Sequence, residues 1–376
     1  MNCCPILNLA KQLISVPSIS PLDLGCQNII ANRLSKIGFN ISFLKNKKTD
    51  NLWAYRGNGI TLSFAGHTDV VPPGNEKLWY CAPFLPTVKN GYLFGRGASD
   101  MKGSIAAMVI AAERFVACFP HHSGRLSFLI TSDEESSATN GTIRIIEYLK
   151  LIHEHINFCI IGEPTSNKIL GDMIKPGRRG SLNLDLFIYG LQGHIAYPEL
   201  AKNAIHHAAP FLKSLTEYQW SNGNKDFLPT SMQISNIHSG LGRDNIIPEE
   251  LHIQLNFRFG TDISIQDIQN KLKQLLSMYN IKYTLKWRLS GKPFLTKSSH
   301  LIKLVMNSIK KFNNVHTKLS TSGGTSDGRF ITDIAFELIE LGLLNNTIHA
   351  VNECVKIQDL QILSSIYEDI MRKILV

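Results

Sequence analysis

The 376-residue sequence lacks the features of a membrane-spanning or exported protein. It contains no apolar run of about 18 residues, so we expect no transmembrane helix and no membrane partner. The segment Met1–Leu7 has no basic region, no long apolar stretch and no small-residue cleavage site, which a secretory signal would contain. The simplest predicted location is therefore the cytoplasm.

The chain also lacks a cysteine framework. Its seven cysteines are odd in number and scattered, and no C-x-x-C motif occurs. We interpret them as reduced thiols that mostly fill the core. Cys3 and Cys4 could form a thiolate pair for a metal, but the sequence contains no second pair to complete such a site.

Acidic residues are in the minority, with 30 Asp and Glu against 39 Lys and Arg, which gives a net charge of +9. A basic chain can bind nucleic acid, but the densest basic cluster, Lys45–Lys48, is short and is typical of a solvated turn. We favour lysines spread over the surface and expect no nucleic-acid partner. A basic protein can also attract a small polyanionic substrate.

The two ends of the chain alternate helical and strand patterns. Helical patterns, with apolar residues at three- and four-residue steps, occupy 6–15, 27–37, 103–118, 142–151, 301–311 and 357–374. Short apolar runs, typical of strands buried on both faces, occupy 52–55, 61–65, 126–130, 158–161 and 336–340. This rhythm predicts an α/β domain with a doubly wound sheet.

A different pattern separates these two parts. Apolar residues alternate with polar ones in three stretches, 181–189, 251–259 and 281–289, and Met232–Ile237 is counted as a fourth probable strand. Helical patterns occupy 204–218 and 265–279. Clean alternation predicts strands with one covered and one wet face, as in an antiparallel sheet. We therefore predict a catalytic domain of residues 1–179 plus 293–376, and an inserted α+β domain of residues 180–292 with four strands and two helices.

Five short segments carry histidine or acidic residues, mostly after a predicted strand or a glycine turn. They are His67-Thr68-Asp69, Ser99-Asp100, Asp133-Glu134-Glu135, Gly162-Glu163 and Ile348-His349. Because the carboxyl ends of parallel strands open on one crevice, these side chains can converge there. Two imidazoles and three carboxylates, with further carboxylates beside them, suit two bridged zinc ions next to a general base.

Spacing alone leaves this metal site open. A single histidine at a strand end is more often a surface residue than a ligand, and an isolated Glu-Glu pair is usually solvated. The ligands also lie too far apart in sequence for a compact motif such as H-E-x-x-H. The adjacent pairs His121-His122 and His206-His207 are interpreted as non-ligands, because neighbouring side chains diverge on a helix or strand.

The complete strings around these residues are more specific. They resemble the co-catalytic zinc aminoacylase and carboxypeptidase superfamily of metal-dependent amidohydrolases. The strings that carry the resemblance are Gly66–Gly74, Gly95–Gly103, Ser132–Glu135, Gly162–Thr165, Lys175–Ser181, Gln192–Pro198, Asp244–Pro248, Ser322–Arg329 and Thr347–His349. They cover nearly the full length of the chain.

The resemblance implies a zinc-exopeptidase-like catalytic domain that holds two Zn²⁺ per subunit, with Co²⁺ as a possible substitute. Asp100 would bridge the ions, with His67 and Glu163 completing one and Glu135 and His349 the other. The general base on the shared water would be Glu134, and Asp69 would orient the imidazole of His67. A cis peptide bond between Asp100 and Met101 is also expected.

The resemblance further implies hydrolysis of N-succinyl-LL-2,6-diaminopimelate to succinate and LL-2,6-diaminopimelate, in the synthesis of lysine and of cell-wall precursors. Arginine forks match the carboxylates of such a small polycarboxylate substrate. The expected substrate-binding residues are Arg178, Ser181, Tyr197, Asn245, Arg258, Gly324, Thr325 and Arg329. The inserted domain would form a homodimer. In it, His194 of each subunit would donate a hydrogen bond to the oxyanion that forms on the substrate in its partner's active site.

Two other functions stay open from the sequence. The same metal site would serve an acetylornithine deacetylase or another aminoacylase or dipeptidase. A non-catalytic binding protein on this scaffold would be expected to lack the base or a ligand, and none is missing. The chain departs from the family pattern at Glu199, where histidine is expected, and at Glu249, where glycine is expected. Both changes concern local surface detail and leave the metal ligands intact.

Overall fold

A computed structural model describes residues 4–297 and 300–376 of the chain. These residues group into two units. The first comprises the chain up to Gly177 together with Leu295–Ser320 and Ser326–Val376, and the second comprises Arg178–Phe294 and Thr321–Thr325. The predicted fold class, an α/β domain with an inserted antiparallel α+β domain, is confirmed.

The described helices and strands have the following bounds. The helices are α1 Pro5–Ile14, α2 Cys26–Lys36, α3 Lys102–Cys118, α4 Thr142–Leu151, α5 Ala204–Glu217, α6 Ile265–Ser277, α7 His300–Asn313, α8 Gly328–Ile331 and α9 Ile357–Leu375. The strands are β1 Asn40–Phe43, β2 Asn51–Arg56, β3 Thr61–His67, β4 Thr87–Lys89, β5 Tyr92–Phe94, β6 Arg125–Thr131, β7 Ile156–Ile161, β8 Met173–Ile174, β9 Gly177–Arg178, β10 Gly180–Tyr189, β11 Gly193–His194, β12 Ser231–Ser239, β13 Ile246–Ile247, β14 Glu250–Phe259, β15 Lys282–Gly291, β16 Phe294–Leu295, β17 Lys318–Leu319, β18 Ala335–Glu340 and β19 Cys354–Lys356.

The first unit is built on a six-stranded sheet with the order β1-β2-β6-β3-β7-β18. Strands β6, β3, β7 and β18 run parallel. At one edge, β2 pairs antiparallel with β6, and β1 pairs antiparallel with β2. All seven residues of β3 are buried, as its continuous apolar run predicts. Helix α3 is buried along most of its length and packs against α1 and α9.

The second unit is built on a four-stranded antiparallel sheet with the order β12-β14-β10-β15. Burial alternates residue by residue along β14, which confirms one covered and one wet face. Helices α5 and α6 cover the buried face and form a separate apolar core with it. Helix α6 begins with a capping box in which Ser264 and Asp267 each bond the other's backbone N–H.

The alternation pattern gave no indication that Thr321–Thr325 joins the second unit. The hydroxyl of Thr321 donates to the main-chain carbonyl of Asp226 at 2.6 Å, and the guanidinium of Arg178 donates to the carbonyl of Gly324 at 3.3 Å. Each bond joins a side chain to a main-chain carbonyl in a segment without regular structure, so no periodicity in the sequence predicts it.

The described residues include six of the seven cysteines, and all six are free thiols. Cys3, one member of the considered thiolate pair, lies outside the described residues. None of the helices in residues 4–297 and 300–376 combines the length and apolar character that a membrane crossing requires.

Candidate metal centre

Three neighbouring parallel strands bring histidine and acidic side chains to one edge of the main sheet. His67 is the last residue of β3, Glu135 follows the end of β6, and Glu163 follows the end of β7. Strand β3 lies between β6 and β7, and all three run in the same direction. Their carboxyl ends therefore open on one crevice, which is where open α/β sheets bind ligands.

The loop before α3 brings a fourth expected ligand, Asp100, to this edge. The side chain of Met101 lies so close to Gly66 and Gly162 that a Cβ atom on either glycine would come within 2.4 or 2.7 Å of its terminal methyl carbon. Glycine at both strand ends therefore makes room for Met101, and this packing anchors the adjacent Asp100. The peptide bond between Asp100 and Met101 is cis, as expected.

The fifth expected ligand, His349, lies on the loop between β18 and β19. His349 has a φ of 58°, in the left-handed region that non-glycine residues seldom occupy. Thr347 closes this loop, because its hydroxyl donates to the carbonyl of Cys354 at 3.0 Å and accepts from the N–H of the same residue at 3.2 Å. The imidazole of His349 is half exposed.

The five expected ligands meet around the two carboxylate oxygens of Asp100. On one side, Nε2 of His67 lies 3.2 Å from Asp100 Oδ1 and 3.7 Å from Glu163 Oε1. On the other side, Nε2 of His349 lies 3.4 Å from Asp100 Oδ2 and 2.9 Å from Glu135 Oε1. Each half combines one imidazole, one glutamate and one oxygen of a common aspartate. A pair of ions bridged by Asp100 requires this grouping.

Asp69 contacts His67 through its main chain and the Glu134-Glu135 turn through its carboxylate. Nδ1 of His67 is hydrogen-bonded to the main-chain carbonyl of Asp69 at 2.9 Å, whereas the nearest carboxylate oxygen lies 3.6 Å away. The carboxylate instead accepts from the backbone N–H groups of Glu134 at 3.3 Å and Glu135 at 3.0 Å. Asp69 therefore orients the imidazole through its backbone and fixes the Glu134-Glu135 turn through its side chain.

Glu134 lies beside the ligands. Its carboxylate comes within 4.8 Å of potential ligand atoms of both His67 and Glu163. Desolvation, and then the charge of Glu163, raise the pKa of Glu134 well above its usual range. A carboxyl group with a raised pKa exchanges protons closer to neutral pH, which suits a general base that later acts as an acid.

The charges around the site favour a cation among these carboxylates. Burial would lower the pKa of His67, but its hydrogen bond to Asp100 and the charge of Asp69 raise that pKa well above its usual range. Hydrogen bonds to Asp100 and Glu135 raise the pKa of His349 to about 10. The negative potential that stabilises these protons would also stabilise divalent cations. Imidazole nitrogens with carboxylate oxygens are a donor set that fits zinc.

Five expected substrate-binding residues gather at one end of the second unit's sheet. Ser181 stands opposite Arg258 where β10 pairs with β14. Arg178, two residues before β10, donates to the carbonyl of Gly324 at 3.3 Å, and Thr325 is the next residue in the chain. We call these five residues the arginine group. Their guanidinium, hydroxyl and backbone groups are donors suited to carboxylates.

Three other expected residues gather beyond the opposite end of the same sheet. His194 pairs with Ile246 through β11 and β13, and the N–H of Ile195 donates to the carbonyl of Asn245 at 3.2 Å. The rings of His194 and Tyr197 lie 5.7 Å apart. We call His194, Tyr197 and Asn245 the histidine group. The ten-residue strand β10 separates the two groups, which at ~3.3 Å per residue amounts to roughly 30 Å.

Arg329, the remaining expected substrate-binding residue, belongs to the first unit. It lies in α8, and its guanidinium stacks over the ring of Phe330 at 4.6 Å from the ring centre.

A buried ion pair behind the ligands was missed from the sequence. Arg96 and Glu353 are 2% and 0% exposed, and Nη1 of Arg96 lies 2.8 Å from Oε2 of Glu353. The glycine-rich string around Arg96 predicts a close approach of the backbone, but nothing in it predicts a partner 257 residues away. Glu353 stands in no motif that the sequence offers.

Comparison with known proteins identifies relatives along the whole chain. A family model described as Peptidase family M20/M25/M40 matches residues 63–373, a span that contains all five expected ligands. The succinyl-diaminopimelate desuccinylase of Buchnera aphidicola subsp. Acyrthosiphon pisum (strain APS) is 56% identical over 372 residues, which cover 99% of each chain.

Solved structures share the fold at low identity. A tripeptidase from Staphylococcus aureus subsp. aureus Mu50 has a TM-score of 0.81 at 20% identity, covering 99% of this chain and 98% of its own. The Bacillus subtilis YXEP protein, described as a dinuclear metal binding peptidase from the M20 family, has a TM-score of 0.73 at 13% identity, covering 98% and 97%. The expected superfamily is confirmed, and this chain belongs to the Peptidase family M20/M25/M40.

Proposed function

We propose that the chain hydrolyses N-succinyl-LL-2,6-diaminopimelate to succinate and LL-2,6-diaminopimelate in the cytoplasm, as a step towards lysine and cell-wall precursors. The observation that carries this proposal is the 56% identity, over 99% of both chains, to a succinyl-diaminopimelate desuccinylase. The likenesses to a tripeptidase and to YXEP are too distant in sequence to carry a substrate, and they support the fold only.

The metal centre of this enzyme would hold two Zn²⁺, for which Co²⁺ could substitute. His67 and Glu163 would bind one ion, His349 and Glu135 the other, and Asp100 both. The geometry supports this division because each imidazole lies within 3.4 Å of a different oxygen of Asp100. When bound, such ions supply a water that ionises near neutral pH and positive charge that polarises the scissile carbonyl.

Glu134 would move the protons of the reaction. Its carboxylate would take a proton from the attacking water and deliver it to the amide nitrogen as diaminopimelate leaves. Asp69 would hold the base in place, because its carboxylate accepts the backbone N–H groups of Glu134 and of the neighbouring Glu135. The desolvation that raises the pKa of Glu134 supports this role, since it brings proton exchange nearer to neutral pH.

The arginine group would bind the carboxylates of the substrate. Arg178 and Arg258 stand at the same end of the sheet as the hydroxyl of Ser181 and the backbone of Gly324. A guanidinium fork binds a planar carboxylate through two parallel hydrogen bonds, which selects for acyl groups that end in a carboxylate. An acetyl group offers no such end, so this group favours a succinylated substrate over an acetylated one.

The histidine group would serve the active site of a second subunit. A single diaminopimelate derivative cannot reach both groups of one chain across roughly 30 Å of sheet. The site would be complete if a two-fold axis brought the histidine group of one subunit to the other's metal centre. His194 is exposed and would donate to the oxyanion there, with Asn245 and Tyr197 beside it.

Exposed apolar residues at one edge of the second unit support a homodimer. Strand β12 is an edge strand, and Ile237 within it is 48% exposed. Leu241, just beyond this strand, is 71% exposed, and Ile205 on α5 is 43% exposed. Edge strands with apolar side chains readily pair with another chain, and pairing across a two-fold axis closes the assembly at two subunits.

A side-by-side assay tests the substrate. Metal-free protein, reloaded with Zn²⁺, is offered N-succinyl-LL-2,6-diaminopimelate, N-acetylornithine and a tripeptide. We expect kcat/KM for the succinylated substrate to exceed the other two by at least about 100-fold, because their acyl groups lack the carboxylate that a guanidinium fork binds. Comparable hydrolysis of acetylornithine or of the peptide would assign the chain to a different substrate class.

A further inference from the structure

The carboxylate of Glu353 is fully buried and receives four donors from one loop. Oε2 accepts from Nη1 of Arg96 at 2.8 Å and from the N–H of Gly97 at 2.9 Å. Oε1 accepts from the N–H of Ser99 at 2.8 Å and from that of Asp100 at 2.9 Å. Hydrogen bonds to an ionised acceptor are roughly twice as strong as neutral ones. Glu353 therefore holds the backbone of the segment that ends in the shared aspartate.

The main chain of Glu353 joins that segment to a second one. The N–H of Gly95 donates to the carbonyl of Glu353 at 3.0 Å. Glu353 also lies four residues after His349, at the end of the loop that carries this ligand. One residue thus fastens the loop of Asp100 to the loop of His349, across 253 residues of sequence.

Arg96 extends this junction to a third segment. Its Nη2 donates to the carbonyl of Pro72 at 3.3 Å and makes a longer contact of 3.5 Å to the carbonyl of His349. The ring of Trp79 covers its guanidinium at 5.2 Å. The contact to His349 falls on a residue with left-handed backbone, where external support is most needed.

We propose that Glu353, with Arg96 as its buried counter-ion, is a positioning residue that sets the spacing between Asp100 and His349 and thereby the affinity of both metal ions. The proposal rests on the dinuclear centre described above and gives neither residue a contact with metal or substrate. A shift of Asp100 weakens the binding of both ions, because both ions share this ligand. A shift of His349 alone weakens the binding of only the ion that His349 holds.

Two substitutions separate these effects. Glu353→Gln replaces one accepting oxygen with an amide nitrogen, which cannot accept from the loop, so we expect both binding steps for Zn²⁺ to weaken by about 10- to 100-fold. Arg96→Lys keeps a cation beside Glu353, but a single ammonium cannot also reach the carbonyls of Pro72 and His349. We expect the affinity of the Zn²⁺-binding step that involves His349 to fall by about 10-fold and the affinity of the other step to stay within about threefold of the wild-type value.

The measurement is a calorimetric titration of the metal-free, full-length protein with Zn²⁺ against a competing chelator. The visible spectrum of the Co²⁺ form gives an independent signature of ligand geometry, and thermal melting of the metal-free protein reports its stability. Asp369→Asn is the matched control, because Asp369 is a buried carboxylate bonded to Ser308, Lys311 and Lys373. It should lower the melting temperature and leave both affinities within about threefold.

Unchanged affinities in Glu353→Gln, or an equal loss in Asp369→Asn, would overturn the positioning role. If Glu353→Gln does not fold, the test rests on Arg96→Lys. Unchanged affinities for both Zn²⁺-binding steps in that variant would then overturn the positioning role. Wild-type protein that binds fewer than two ions would refute the dinuclear centre and this inference together. If the wild-type protein binds two ions and the variants bind them with unchanged affinity, the positioning role is refuted and the dinuclear centre is not.

Discussion

Glu134 is the side chain whose replacement separates proton transfer from metal binding. Glu134→Gln keeps the shape of the side chain and removes its ability to accept a proton. We expect metal content near that of the wild type and turnover of the succinylated substrate lower by roughly 10²- to 10⁴-fold. Elemental analysis of the purified protein and kcat with saturating substrate are the two measurements.

Glu147 provides a matched control for this substitution. It belongs to the same unit, its side chain is 54% exposed, and it pairs with Arg144 at 2.8 Å on the surface of α4. Glu147→Gln should change neither metal content nor turnover. Turnover near the wild-type value in Glu134→Gln would remove that residue from the base role, and loss of metal would reassign it as a ligand.

The sequence predicts the identities of the side chains at the site better than their contacts. Motif strings predict His67 and Asp69 together, but the carbonyl and the carboxylate of Asp69 are equally close to His67 in sequence. Only the folded turn shows that the ring of His67 is hydrogen-bonded to the carbonyl of Asp69. The carboxylate of Asp69 instead accepts from the backbone N–H groups of Glu134 and Glu135. Contacts through the main chain carry no residue-type signal, and three of the four donors to the carboxylate of Glu353 are main-chain N–H groups. The fourth donor, Arg96, lies too far away in sequence for a motif to connect the two.

At the scale of single elements, one buried carboxylate links α9 to α7 through hydrogen bonds. Asp369 on α9 accepts from Ser308 and Lys311 on α7, each at 2.7 Å, and from Lys373 one turn further along α9 at 2.5 Å. Asp369→Asn should lower the free energy of unfolding by about 1.5–3 kcal/mol at pH 7, because it removes hydrogen bonds to charged donors. Urea unfolding at fixed temperature measures the difference.

This stabilisation depends on pH in a defined direction. Burial would raise the pKa of Asp369, but the bonds from Lys311, Lys373 and Ser308 outweigh it and lower that pKa to about 2. The ordinary value in an unfolded chain is about 4, so the stabilisation is complete above pH ~4 and is lost as the pH falls through about 2. The difference between wild type and Asp369→Asn should therefore be constant from pH 7 down to about 5 and shrink below about 4.

The neighbouring Glu368 supplies the control on the same helix. It pairs with Arg114, and both side chains are about one-third or more exposed. Glu368→Gln should cost less than about 1 kcal/mol because water screens an exposed pair. An equal loss from both substitutions, or a loss from Asp369→Asn that does not change with pH, would contradict the role assigned to the buried carboxylate.

Periodicity predicts the long elements and misses the short ones. Strict alternation over about nine residues predicts β10, β14 and β15, and a continuous apolar run of five residues predicts β3. Thr321–Thr325 is held by a few hydrogen bonds involving main-chain atoms, so no pattern assigns it to the second unit. Strand order likewise depends on contacts between distant residues, which one sequence does not reveal.

At the scale of the whole molecule, the roles proposed for the arginine and histidine groups predict which assembly is active. Because the two groups lie roughly 30 Å apart on one sheet, we expect one substrate molecule to contact only one of them in a monomer. The active form should be a homodimer of about 84 kDa, twice the chain mass of 42.0 kDa. Light scattering coupled to size exclusion measures the mass, and the active fraction should elute as the dimer.

Mixing two inactive variants tests which subunit supplies the histidine. In a mixed dimer of His194→Ala and Glu134→Gln, the subunit with alanine keeps its base and receives an intact histidine from its partner. The other subunit has both defects. Random exchange makes about half of the dimers mixed, with one intact site of two, so activity should recover to about a quarter of the wild-type value. If exchange occurs, as shown with differently tagged chains, and no activity returns, His194 acts within its own subunit or has no role in the reaction.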